Sequence, residues 1–260
     1  MILMLLDAER QTVADTDFTL EKTPYVVRAI GKEYWSGIVY SHFSTAEAEG
    51  VIDDEIGYFT KLGRDFEWKV FSHDEPADLL TRLRRRGFKI GEEEALMILD
   101  VQKFPPGLLA PAPEGVTVRA VTDDQGISHY LALQSAIWGQ ATTTREFLLS
   151  TLSDQLQRNL AFIAYAGQKP IGFGRVTTSP QSRFAGLWGG SVLSDFRGRG
   201  VYRALLSARI RHAKKSDSVR YFQVDALPTS RPILERYGFK RVASTWPAEW
   251  PSLDRRSLNQ

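Results

Sequence analysis

The stretch from Leu187 to Ile210, LWGGSVLSDFRGRGVYRALLSARI, restricts the fold more than any other part of this sequence. Its start is short and apolar, the pattern of a buried strand ending at Leu193. From Val201 onward, Val201, Ala204, Leu205 and Ala208 fall at i, i+3, i+4 and i+7, which is one apolar stripe of a helix. Between strand and helix lies Arg197-Gly198-Arg199-Gly200. Glycines without Cβ let backbone approach a ligand closely. The first amides of a helix lack intrahelical acceptors, and the helix dipole favours an anion there. Arg197 and Arg199 add fixed positive charge suited to phosphate oxygens. The junction therefore reads as an anion cradle.

Two common phosphate loops do not fit. GxxxxGK[ST] is absent. The GxGxxG pattern begins at Gly198-Arg199-Gly200 but meets Arg203 at its last position.

The surrounding chain divides at FPPGLLAPAPEG, Phe104–Gly115, whose four prolines and two glycines exclude a helix or central strand. This seam predicts domains at 1–105 and 115–260, joined by a Pro-rich linker at 106–114. With 260 residues and 43% hydrophobic content, each half can bury a core. The second half predicts strands at Val116–Val121, AFIAYAG, IGFGRVTTS, LWGGSVL, RYFQVDAL and KRVASTW. Helices are predicted at Asp123–Trp138, Thr144–Gln157, Val201–Lys215 and Ser230–Tyr237. The resulting order is β-α-α-β-β-β-α-β-α-β, an α/β (α+β) fold with a mixed sheet flanked by helices.

The first half ends in the same way. FEWKVFSHD predicts a strand, Pro76–Arg86 a helix closed by Gly87, and EEEALMILDV a strand. Gly87-Phe88 and Gly238-Phe239 occupy matching places after their helices, which points to one architecture used twice.

RGRGVY followed by RALL resembles the acetyl-CoA pyrophosphate loop of the GCN5-related N-acetyltransferases, whose pattern is Arg or Gln, two residues, Gly, one residue, then Gly or Ala. That pattern maps onto Arg197, Gly198-Arg199, Gly200, Val201 and Tyr202, where Tyr202 replaces the small last residue. SRPILERYGF resembles the family's second conserved segment, and the likeness covers roughly 115–245. The first half is similar only to the last third of that fold, a degenerate copy without the loop. The resemblance implies two tandem acyl-CoA N-acyltransferase-like domains. It assigns Ser191, Val192, Leu193, Arg197, Gly198, Arg199, Gly200, Val201, Tyr202 and Arg203 to acetyl-CoA, with the strand segment Ser191–Leu193 pairing with the pantetheine arm and a backbone amide polarising the thioester carbonyl.

The reaction so implied moves an acetyl group to an amine by direct attack, and it needs a base, because a primary amine with a pKa near ~10.4 is protonated at neutral pH. Asp225 could be that base and Ser230 a cofactor contact or proton relay. The stronger readings are structural: Asp225 is a strand-end carboxylate and Ser230 a helix N-cap. The family's usual thiolate-protonating tyrosine is here Leu234, and Tyr237 lies beside Gly238. A non-catalytic acyl-CoA-binding regulatory module is the alternative.

Composition narrows the partners. A net charge of +2 gives no polycation for nucleic acid, and Arg82, Arg84, Arg85 and Arg86 end a helix that has Asp74, Glu75 and Asp78 near its other end. His42, His73, His129 and His212 show no ligand spacing, so no metal is expected. The chain has no cysteine, MILMLLDAER lacks the basic start of a secretory signal, and no apolar run approaches ~20 residues, which predicts a cytoplasmic protein without a membrane partner. Its partner is expected to be a small-molecule or peptide amine acceptor, with Trp188 the best candidate pocket wall.

Overall fold

The computed structural model describes residues 1–12, 18–31, 35–154 and 158–250. Its elements run α1 (Ile2–Arg10), β1 (Phe18–Lys22), β2 (Val26–Gly31), β3 (Ser36–Ser41), α2 (Ala48–Lys61), β4 (Phe66–Phe71), α3 (Leu79–Arg86), β5 (Lys89–Ile90) and β6 (Glu94–Asp100). They continue with β7 (Val116–Ala120), α4 (Asp124–Trp138), α5 (Arg145–Leu152), β8 (Asn159–Ala166), β9 (Lys169–Thr177), β10 (Phe184–Val192), α6 (Val201–Ala213), β11 (Tyr221–Ala226), α7 (Arg231–Arg236) and β12 (Lys240–Trp250). The chain forms two units. Of the described residues, one unit holds those of Met1–Met97, Asp225–Arg231 and Arg241–Trp250; the other holds those of Ile98–Val224 and Pro232–Lys240.

In the first unit the strand order is β1-β2-β3-β4-β12-β6, with β5 also on β12. β3 and β4 are parallel, whereas β1–β2, β2–β3 and β4–β12 are antiparallel. The α2 face carrying Val51, Ile52 and Phe59 packs into a core with Ile38, Trp68, Leu83, Phe88 and Trp250. This half thus holds far more than a strand–helix–strand end. The spacing of Ala48, Val51, Ile52, Glu55 and Phe59 is a helical face that reveals α2. Glu55 stays buried on that face because Arg28 grips it with two hydrogen bonds, 2.6 and 2.7 Å.

In the second unit the order is β11-β10-β9-β8-β7, parallel at β10–β11 and antiparallel elsewhere. Successive side chains alternate across this sheet. The face of Ala161, Ile163 and Phe173 meets Tyr130 and Leu133 of α4 and Leu148 of α5. The face of Gly172 and Gly174 meets α6 through Leu205 and Arg209. Each unit is a mixed sheet with helices packed on it.

Most predicted elements stand within a few residues of their expected bounds. The helix caps are chemical: the Asp123 carboxylate accepts from the Gly126 amide at 2.7 Å, and Thr144 Oγ1 from the Phe147 amide at 3.1 Å. Helix α5 ends at Leu152, and its predicted continuation to Gln157 enters residues outside those described. The prolines do not exclude every turn of helix from the seam, since Pro106–Leu109 forms one 3-10 turn with proline at its start. On α6, Ala208 is only half-buried, while Arg209 is fully buried. Strand β12 does not end at Trp246. It continues to Trp250 and pairs along β4, Thr245 opposite Phe71 and Trp250 opposite Phe66.

Candidate active site

The site is built where β10 leaves its neighbours. Pairing of β10 with β11 runs from Phe184↔Tyr221 to Gly186↔Gln223, and beyond Gly186 the strand continues along β9. There the register shifts between Trp188 and Ser191, a β-bulge centred on Gly189-Gly190. Gly189 has φ +56°, and a Cβ there would stand 3.1 Å from the ring of Trp138. Trp138 and Trp188 are exposed by 39% and 36%, so both flank the bulge with accessible ring surface. Trp188 is fixed by its indole N–H, which donates to Thr177 Oγ1 at 2.8 Å. Opposite it on β9, Arg175 donates to Asn159 Oδ1 at 2.9 Å and lies over the Phe147 ring. The bulge re-aims backbone amides out of the ladder, which is how a strand comes to offer donors to a ligand.

After Leu193 a 3-10 turn, Ser194–Phe196, leads to the glycine-rich loop. Arg197 Nε donates back to the Val192 carbonyl at 3.0 Å and thereby ties the loop to the strand. Gly198 and Gly200 have φ of +73° and +77°, the left-handed region that makes alternate amides of a turn converge. The first backbone bond of α6 is Ala204 N–H to Gly200 O at 3.0 Å, so the amides of Val201, Tyr202 and Arg203 precede it. A Cβ on Gly198 would meet nothing within 4 Å, whereas one on Gly200 would stand 3.0 Å from Pro113. Converging amides, two left-handed glycines and the exposed Arg197 and Arg199 fit a pyrophosphate.

Two of the assigned residues behave differently from their neighbours. The guanidinium of Arg203 is turned to the carbonyls of Ala110 and Pro111, 2.6 Å each, so its side chain anchors the Pro-rich segment and only its amide faces the cradle's end of the helix. The ring of Tyr202 turns beneath β10, 3.0 Å from where a Gly190 Cβ would be. A large residue is accommodated there because Gly190 has no side chain. Burial pushes the Tyr202 hydroxyl above the usual tyrosine value, and nearby Arg209 works against that shift.

Asp225 and Ser230 have partners of their own. Asp225 forms an ion pair with Lys69 Nζ at 3.2 Å and accepts from Thr245 Oγ1 at 3.0 Å. Burial alone would lower the Lys69 pKa, but Asp225 and Glu94 together hold it above the usual lysine value. Ser230 Oγ donates to the Leu227 carbonyl at 3.1 Å. Leu234 is buried in the core, 1% exposed. Tyr237 lies close enough to Tyr202 to push its pKa up further.

The arginines of α3 are satisfied by carboxylates: Arg82 by Asp78 and Glu49, Arg86 by Glu49 and Asp53. Among the described residues, no group of three His, Cys, Asp or Glu is placed to hold a metal ion, and no helix is long and apolar enough to cross a membrane.

Residues the sequence reading missed are Arg209, Gly174 and Gly190. The available signal was a charged residue four positions after Leu205, inside the buried face of α6.

The family model for the acetyltransferase (GNAT) domain matches residues 120–250, half of the chain, and the chain belongs to the GCN5-related N-acetyltransferase family. No curated protein matches the sequence. Among solved structures, a GCN5-related N-acetyltransferase from Kribbella flavida is similar over 96% of this chain and 95% of its own, at 14% identity and a TM-score of 0.70. A conserved protein of unknown function from Staphylococcus epidermidis is similar over 94% and 99%, at 15% identity and 0.66. A tandem GNAT protein from the clavulanic acid biosynthesis pathway is similar over 95% and 88%, at 13% identity and 0.58. These likenesses extend through both halves, and the fold is that of two acyltransferase-type domains in tandem.

Proposed function

We propose that this protein is an N-acetyltransferase that moves the acetyl group of acetyl-CoA to an amine by direct attack within a ternary complex. The observation that carries the reading is the continuity of the β10 bulge, the Arg197–Gly200 loop and the α6 N-terminus in one segment. Acetyl-CoA supplies the acyl group already activated as a thioester.

The chain's own residues divide the work. Gly198, Arg199, Gly200 and the amides of Val201, Tyr202 and Arg203 bind the pyrophosphate, with Arg197 holding the loop in place through Val192. Ser191, Val192 and Leu193 lie along the pantetheine arm. The bulge amides around Gly189-Gly190 stabilise charge as it develops on the carbonyl oxygen, a contribution that needs no side chain. Trp138 and Trp188 wall the acceptor side. Asp225 and Ser230 stay candidates for proton handling, although the hold of Lys69 and Thr245 on Asp225 favours a structural role for that carboxylate. We place the activity in the cytoplasm, in keeping with a chain free of cysteine.

A second reading has one observation in its favour. Leu234 fills the position of the family's usual acid and is a core residue, so the protein could bind acyl-CoA as a regulatory module without turnover. Thiol release from acetyl-CoA, assayed against a panel of amino acids, peptides, polyamines and amino sugars, separates the two. Acceptor-dependent thiol release supports the enzyme. Tight acetyl-CoA binding with no release for any amine overturns it in favour of the module.

A further inference from the structure

Arg209 does not belong, by chemistry, where the helix puts it. It shares the buried face of α6 with Leu205, Leu206 and Ile210 and is 1% exposed. A buried charge is tolerated when a counter-charge or a full set of hydrogen bonds compensates it. Here Nε donates to the Leu205 carbonyl at 3.2 Å and Nη1 to the Trp188 carbonyl at 3.3 Å, while buried Nη2 has no acceptor. Among the described residues, the hydroxyls of Tyr202 and Tyr130 are its polar neighbours, and no carboxylate is among them. Arg82 and Arg86 on the surface of α3, by contrast, are paired with carboxylates.

The backbone is shaped to admit this cation. A Cβ on Gly174 would stand 2.9 Å from its Cζ, and one on Gly190 would stand 2.8 Å from Nη2. Two glycines on adjacent strands therefore form the socket, and one of them is a bulge residue. The guanidinium lies directly behind the bulge and holds it through the Trp188 carbonyl. A carboxylate partner would stabilise the arginine and cancel its field. Its absence leaves a fixed positive charge in a low-dielectric setting, where such charges act most strongly.

We infer that Arg209 is a positioning residue for acyl transfer: it fixes the β10 bulge and lends an uncompensated positive field to the acyl carbonyl that the bulge receives. The inference rests on the proposed acyl-transfer reading. It differs from an ordinary packing role because it needs the charge, not only the bulk.

The test reads the carbonyl itself. Acetyl-CoA labelled at the carbonyl carbon is bound to wild type, Arg209→Lys, Arg209→Met and Gly190→Ala, and the infrared stretch is compared with that of the free thioester. Wild type should lower the frequency. Arg209→Met should return it toward the free value, with acetyl-CoA affinity within about threefold and turnover down on the order of 10²-fold, the scale for losing one preorganised electrostatic contributor. Arg209→Lys should keep much of the shift. Gly190→Ala, which displaces the guanidinium without removing charge, should lose part of it; this variant and Arg209→Lys carry the test if Arg209→Met does not fold. An unchanged frequency in Gly190→Ala and in any folded Arg209→Met overturns the inference, as does a loss of affinity that matches the loss of turnover. Wild type that shifts the carbonyl yet releases no thiol with any amine overturns the enzyme reading and the role in turnover together. Wild type that turns over while Arg209→Met keeps both frequency and rate overturns the inference alone.

Discussion

Two strand-to-helix junctions of this molecule, β3 to α2 and β10 to α6, have the same order of elements and opposite chemistry at the helix start. In both, the strand runs parallel to the one that follows the helix, β3 with β4 and β10 with β11. At α6 the approach is Arg-Gly-Arg-Gly, with two left-handed glycines and no carboxylate in the first turn of the helix. At α2 the approach is Ser44-Thr45-Ala46-Glu47, and Glu47 turns back to accept from the Ser44 amide at 2.9 Å and its hydroxyl at 2.7 Å. Glu49 adds a second carboxylate in that first turn. The first unit sets carboxylates at its own helix N-terminus; in the second, the proposed function gives that position to the cofactor's pyrophosphate. The apolar core keeps the element order, and a handful of residues at one helix start decides whether phosphate is welcome.

The helix ends teach the converse, because there the two units agree in detail. Gly87 and Gly238 have φ of +99° and +88°. Phe88 N–H reaches the Leu83 carbonyl at 3.1 Å, and Phe239 N–H reaches the Leu234 carbonyl at 3.2 Å. Both phenylalanines and both leucines are buried. This is the same capping motif twice, each time with a buried leucine and a buried phenylalanine joined by the backbone bond. The largest effect we expect is therefore at these rings. Phe88→Ala and Phe239→Ala should each lower stability by about 3–5 kcal/mol, the range for emptying a buried phenylalanine site, read as urea unfolding midpoints. A loss below about 1 kcal/mol at one site beside a full loss at the other would break the equivalence of the two ends.

The next effect belongs to the starts. Wild-type protein should bind one acetyl-CoA per chain in a calorimetric titration, because among the described helices only α6 has the cradle. Gly200→Asp should weaken that binding by at least about 100-fold, or about 2.7 kcal/mol, by setting a carboxylate against the pyrophosphate. A side chain at φ +77° and 3.0 Å from Pro113 also strains the fold, so a lower melting temperature accompanies the loss. Circular dichroism at the titration temperature checks that the variant is folded. A folded Gly200→Asp protein with wild-type affinity, or two equivalent sites in wild type, would remove the contrast between the junctions.

What the sequence revealed follows the same division. The α6 cradle, the helix caps at Asp123 and Thr144 and the two Gly-Phe ends are local, so their residue types announce them. The partner of a strand is not local. KRVASTWPAEW alternates well enough to be a strand, yet nothing in it says that Trp250 will pair with Phe66. Arg209 was hidden for another reason. A basic residue on a helix reads as solvated, and its burial depends on the missing side chains of Gly174 and Gly190, which lie on other elements. Arg203 belongs to the cradle by its backbone amide, and nothing local in the sequence says that its side chain serves the carbonyls of Ala110 and Pro111.

The smallest expected effect probes whether the carboxylates at α2 serve the protein itself. Hydrogen bonds from Arg86 and Arg82 hold Glu49 below its ordinary value of 4.5. A carboxyl group with a depressed folded-state pKa contributes stability above its unfolded value, and that contribution is lost as pH falls through the folded value. Acidification from neutral pH to about 3.5 at low salt should therefore cost wild type slightly more of its urea midpoint than it costs Glu49→Gln. The gap should be small because Glu49 is exposed, and it should shrink further in about 0.5 M salt, where surface pairs are screened. Equal acid slopes in the two proteins would mean that Glu49 contributes nothing to the first unit's stability. The same variant should still bind only one acetyl-CoA per chain, since losing one carboxylate supplies neither left-handed glycines nor arginines at that junction. A second site in Glu49→Gln would show that anion repulsion alone, and not the missing cradle, had kept the first unit free of cofactor.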